Sequence, residues 1–136
     1  MNNTRFSTAI HIMTLLAKFP EEWLTSDYIA GSINLNPVII RKEIGSLKEA
    51  SLIMVKKGKE GGAKLAKDAS QISLAEIYRA VKNSEVLGKK NQDLNPYCMV
   101  GKNINNHLED LYSETNEVMV KFLSKKSLQE FSNQFR

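Results

Sequence analysis

Residues 25–66 read TSDYIAGSINLNPVIIRKEIGSLKEASLIMVKKGKEGGAKLA, and the punctuation of this stretch decides the fold. Thr25 or Ser26 caps a short helix, with Asp27 in a first turn where negative charge suits the helix dipole. Asn34 takes the left-handed conformation that a tight turn needs. Asn36 is a strong N-cap, and Pro37 sits at the first helical position, where its missing N–H costs nothing. Ile40, Ile44 and Leu47 follow at i, i+4 and i+7 as one apolar stripe, although mid-helix Gly45 costs about 1 kcal/mol relative to Ala. LIMV, residues 52–55, reads as a short strand. A lysine-bearing turn through Gly61-Gly62 and the segment AKLA complete a two-stranded hairpin.

Charge gathers on the same stretch. Between Arg41 and Lys67 eight Lys or Arg stand against three Glu, a net +5, while the whole 136-residue chain carries +4. Basicity so localised is the electrostatic footprint of a polyanion site; a solvated basic face with no partner gives the same count. Lysines among glycines also suggest a phosphate loop, but the spacing excludes one. A Walker loop needs Gly, four residues, then Gly-Lys-Ser/Thr, whereas Ala63 stands five positions after Gly58. A hairpin also offers no helix N-terminus to a phosphate.

Outside the stretch, RFSTAIHIMTLLAKF has apolar residues at 6, 9, 10, 13, 16 and 17, a helix with one wide buried face that Pro20 ends. SLAEIYRAV (73–81) is a helix opened by the capping box Ser73/Glu76. Gly88, Asn91, Asn95-Pro96 and Gly101 make 83–101 a loop. Ile104, Leu108, Leu111, Thr115, Val118 and Phe122 then recur every three or four residues, a narrow seam on a long helix that needs a partner. Ser127/Glu130 opens a last short helix. The expected division is a DNA-binding unit at 1–82, the loop at 83–101, and a dimerisation region at 102–136. The fold class is mainly α with a small β-hairpin (α+β), a winged helix-turn-helix with a long C-terminal helix.

A single cysteine, Cys98, excludes an internal disulfide and favours a reducing compartment. The longest apolar stretch contains His11 and Lys18, too short and broken for a bilayer, and no signal-peptide pattern opens the chain. A cytoplasmic protein is expected. His11 reads as a partly buried, hydrogen-bonded residue, since neither it nor His107 has partners at metal-ligand spacing. Cys98 and His107 lack the local support of a nucleophilic pair. No constellation suggests an enzyme.

What remains is ordered for duplex DNA. Small Ala30 lets two helices cross closely, and the second presents its N-terminal half outward, where it can enter a major groove. The candidate contacts are Ser26, Asn36, Pro37, Val38, Ile39, Arg41, Lys42 and Ser46. Arg41 can fork onto guanine, and Val38 or Ile39 can touch a thymine methyl. Lys56, Lys57, Lys59 and Lys64 would meet phosphates or a minor groove from a wing whose glycines allow close approach to the DNA backbone. The alternative is a winged-helix module that has lost DNA binding and docks proteins.

DYIAGSINLNPVIIRKEIGSLKEASLI, KGKEGGAKLAK, ISLAEIYRAV and the closing KSLQEF together resemble the Rrf2 family of winged-helix transcriptional regulators. The Gly58, Gly61, Gly62, Leu65, Ala66 pattern carries much of the likeness. The resemblance implies a bacterial homodimer that binds a palindromic operator and usually represses, with the long helix crossing its mate and the first helix assisting. Lys57 replaces the usual Arg before the first wing glycine, and Ala63 replaces the usual aromatic after the glycine pair. Iron–sulfur members use three cysteines in the loop before the long helix; Cys98 alone implies no such cluster. Cys98 then reads as a small apolar filler beside Tyr97 and Met99, or as a thiol sensor in an exposed loop. No effector is named by the sequence.

Overall fold

A computed structural model describes residues 4–81 and 87–136. The chain runs α1 (Arg5–Lys18), α2 (Ser26–Ile33), α3 (Pro37–Glu49), β1 (Ile53–Lys56), β2 (Gly62–Leu65), a 3₁₀ turn at Ala69–Gln71, α4 (Leu74–Val81), α5 (Met99–Ser124) and α6 (Leu128–Ser132). The fold is mainly helical with one two-stranded antiparallel sheet. The boundary expected at residues 82–83 lies outside the described residues.

Helix α1 is the central element. Its Ala9, Ile12, Met13 and Leu16 are buried, and it packs against α2, α3, α4, α6 and β2. The α2–α3 turn forms as its residues dictate. The Thr25 side chain accepts from the Tyr28 N–H at 3.1 Å, so Thr25 is the cap and Ser26 the first helical residue. Asn34 closes α2 at φ 62°, ψ 43°, and the Leu35 N–H returns to the Ala30 carbonyl. The Asn36 side chain accepts from the Val38 N–H at 2.8 Å with Pro37 at the first turn. Ile40 and Leu47 are fully buried, Ile44 partly so.

The hairpin pairs Ile53 with Leu65 through Lys56 with Gly62, and its turn is closed by the Gly61 N–H on the Gly58 carbonyl. A third segment joins it: Leu24 and Ala63 exchange backbone hydrogen bonds of 3.1 and 2.8 Å. This corrects the role expected of the glycine pair. A Cβ at Gly61 would run into the Lys56 carbonyl, and one at Gly62 into the Leu24 carbonyl. Gly61 lets the hairpin close on its own backbone, and Gly62 lets it lie against the Leu24 segment. Only Gly58, at φ 102° with open space around it, keeps room for an outside partner.

The capping box at Ser73/Glu76 forms in both directions, at 2.8 and 3.2 Å. At Ser127/Glu130 the hydroxyl accepts from the Glu130 N–H at 3.0 Å. Paired backbone bonds, Leu74 N–H to Lys126 and Leu128 N–H to Ile72, pin α6 to the start of α4. The long helix starts at Met99, three residues before the expected boundary. The Cys98 thiol caps it by accepting from the Gly101 N–H at 3.4 Å, so Gly101 lies inside the first turn. Helix α5 has 26 residues, none of them buried, and its main contact is α4. Among the described residues no helix is long and apolar enough to cross a membrane.

Candidate nucleic-acid interface

One side of the N-terminal half of α3 is turned away from the core. Asn36, Arg41, Lys42 and Gly45 are exposed, Pro37 is half-buried, and Val38 and Ile39 are 63% and 47% exposed. The cap explains this placement: it starts the helix so that Ile40 and Leu47 turn inward while 38, 39, 41 and 42 turn out. Ser46, expected to face outward, is half-buried and accepts a hydrogen bond from Arg5 Nη2 at 3.1 Å. Between α3, the start of α2 and the hairpin lies a cleft of about 400 Å³. Ser26, Arg41, Gly45, Lys48, Lys56 and Gly58 are among its lining residues.

The four wing lysines divide into two pairs. Lys57 and Lys59 are exposed near the turn. Lys56 and Lys64 lie over the Trp23 ring, with Nζ 5.8 and 5.0 Å from its centroid. Cation–π attraction at such distances is worth about 0.5–1 kcal/mol at exposed sites. Trp23 thus gathers two wing charges over one ring, a role the sequence reading missed. Its signal was available, since Trp23 is the only tryptophan and directly precedes Leu24, which joins the hairpin.

A second omission is Glu43. It falls on the apolar stripe, between Ile40 and Leu47, and is only 3% exposed. A buried carboxylate needs a cation, and Arg5 supplies it. Arg5 Nε lies 3.1 and 3.0 Å from the two Glu43 oxygens, and Nη2 lies 2.8 Å from Oε1. A carboxylate in register with an apolar stripe was the readable sign.

On α5 the expected seam residues line up. Leu111, Val118 and Phe122 are 52%, 71% and 60% exposed, and Ile104, Leu108 and Thr115 are half-exposed. The helix is held to its own domain through other residues: the Tyr78 hydroxyl donates to Asn116 Oδ1 at 3.2 Å, and Leu123 packs on the core. His11 is half-buried, its Nε2 2.9 Å from the Ser32 hydroxyl, as expected; His107 is exposed.

Cys98 is exposed, so the filler reading fails. Its thiol is drawn into capping α5, and hydrogen bonds from the Gly101 and then the Val100 N–H hold its pKa below the ordinary value. Its thiolate fraction is therefore present at lower pH than in a free cysteine. Iodoacetamide should alkylate Cys98 at neutral pH faster than it alkylates glutathione, with the rate reaching its plateau at lower pH. A rate that follows an ordinary thiol, with midpoint near about 8.5, would refute the capped thiolate.

The family model described as Rrf2, iron-dependent transcriptional regulator, matches residues 2–134. YwnA of Bacillus subtilis (strain 168), to which an HTH-type transcriptional-regulator role is ascribed, is 40% identical over 133 residues, 98% of each chain. A crystal structure ascribed to a DNA-binding protein has a TM-score of 0.73 and 36% identity, covering 93% of this chain and 97% of that one. CymR of B. subtilis, a global cysteine regulator, has the same fold, with a TM-score of 0.72 at 20% identity over 100% of this chain and 98% of its own. These relatives are regulators and not enzymes. Iron in the family description does not fit the donors here. The sequence offers one thiolate, and among the described residues no three His, Cys, Asp or Glu side chains come together to hold a metal. With a helix-turn-helix, a glycine-paired wing and a long exposed helix in this order, and a family match across nearly all of its length, the chain belongs to the Rrf2 family of transcriptional regulators.

Proposed function

We propose that the protein is a cytoplasmic homodimeric repressor that binds a palindromic duplex operator. Helix α3 enters the major groove, where Arg41 forks onto guanine and Val38 or Ile39 meets a thymine methyl. Asn36, Pro37, Lys42, Ser26 and the wing residues Lys56, Lys57, Lys59 and Lys64 set the register on phosphates or in the flanking minor groove. Two α5 helices cross along the seam and fix the spacing of the two half-sites. The observation that carries this reading is the juxtaposition on the outer side of α3: two exposed cations beside two exposed aliphatic side chains, with Lys56 of the wing lining the same cleft as Arg41. Phosphates alone would need only the cations. The aliphatic pair suits base edges.

Selection of bound sequences from a random duplex pool tests this. A palindromic consensus should emerge. Affinity for it should fall by about 10³-fold or more between 50 and 200 mM salt if six or more phosphates are neutralised. A pool that never enriches, with equal weak binding to every duplex, would leave the protein-docking module as the better reading.

A further inference from the structure

The ion pair between half-buried Arg5 and buried Glu43 joins two helices with different tasks. Arg5 is the first residue of the central helix α1, and Glu43 sits in the middle of α3. The fork of Arg5 grips both carboxylate oxygens and then reaches Ser46, one turn further along α3. The Glu43 side chain is 4% exposed and that of Arg5 23%. Two anchor points a turn apart hold a helix against rotation about its own axis. The apolar stripe of Ile40, Ile44 and Leu47 decides which face of the helix turns inward, and the directional hydrogen bonds of the fork narrow that angle further. The pair has an electrostatic consequence as well. Glu43 follows Arg41 and Lys42 directly, and an unneutralised carboxylate there would repel the phosphates those cations are placed to meet.

We propose that Arg5 is a positioning residue for DNA recognition: through Glu43 and Ser46 it fixes the azimuth of α3 and removes the one negative charge from its reading half. This rests on the assignment of α3 as the reading helix. Arg5 acts without itself touching base edges, so its loss should blur selectivity between sequences and leave the number of phosphate contacts unchanged.

The test compares operator and random-duplex affinities for wild type, the double variant Arg5→Leu/Glu43→Leu, and Arg5→Lys. Replacing a buried ion pair by apolar side chains is often neutral or stabilising, so the double variant should melt within a few degrees of wild type. Its operator affinity should nevertheless fall by about tenfold or more, with an equal loss of preference over random duplex, as expected for a reading surface whose support has been loosened. Arg5→Lys keeps the charge but loses the fork. It should lose selectivity by a smaller factor with an unchanged salt slope, and it decides the matter if the leucine pair does not fold. Either variant, folded and binding with wild-type affinity and selectivity, would overturn the proposal. Failure of wild type itself to select an operator would instead remove the DNA-reading assignment on which it stands.

Discussion

The double substitution Arg41→Ala/Lys42→Ala should lower operator affinity by about 10²–10³-fold while leaving the fold and the oligomeric state unchanged. Both side chains are exposed, and neither is in an ion pair among the described residues. Surface changes of this kind usually alter stability by less than about 0.5 kcal/mol. The loss on DNA has two parts. A bidentate arginine on guanine discriminates by about 1–3 kcal/mol, and each tenfold in affinity is about 1.4 kcal/mol. A lysine on a phosphate contributes evenly across sequences and adds roughly one unit to the salt slope. The single variants should therefore separate. Arg41→Ala should relax the consensus at one position of each half-site, and Lys42→Ala should weaken every duplex alike and flatten the salt dependence. Gel shifts at several salt concentrations, with circular dichroism and light scattering as controls, resolve these outcomes. Retention of wild-type affinity by the double variant would show that the reading surface lies elsewhere.

The parts of this surface that were legible in the sequence are those written in local chemistry. Asn34, Asn36 and Pro37 each have one strongly favoured backbone role, and each performs it. The capping hydroxyls of Ser73 and Ser127 likewise accept from the backbone N–H three residues on, at Glu76 and Glu130. Legibility ends where the cause is tertiary or the residue atypical. Cysteine is not among the usual caps, so the thiol that starts α5 at Met99 gave no signal, and Gly101 read as a breaker. Ser51 ends α3 in the left-handed region at φ 62°, where glycine would be cheaper and would have marked the stop. Arg5 and Glu43 are 38 positions apart; only the carboxylate's register with Ile40 and Leu47 hinted that a cation must arrive from another element. Lys56 and Lys64 were correctly placed on the wing, but their gathering over Trp23 depends on the Leu24–Ala63 bridge, which no local pattern encodes.

If the proposed homodimer forms along the seam, placing carboxylates there, as Val118→Glu/Phe122→Glu, should convert it to monomer and weaken operator binding by more than about 100-fold. The 26-residue α5 is about 39 Å long, and one face already serves the domain that carries it, through Asn116 and Leu123. At 3.6 residues per turn Val118 stands about 160° around the helix from Asn116, so the seam cannot be satisfied by the same contacts. Each such side chain gains on the order of 1.5–3 kcal/mol when fully buried, and a symmetric interface counts every residue twice. Four carboxylates at a crossing of two helices would forfeit that gain and repel one another. The fold of the protomer should survive, because both positions are exposed within it. The main intramolecular loss is the Lys126 ammonium above the Phe122 ring at 5.5 Å, worth about 0.5–1 kcal/mol. DNA affinity falls because joined half-sites bind as one event, whereas separate monomers lose the effective concentration that the linkage supplies. Light scattering should report half the mass with an unchanged helical spectrum. A variant that remains dimeric would place the interface on another face and free the seam for a different partner.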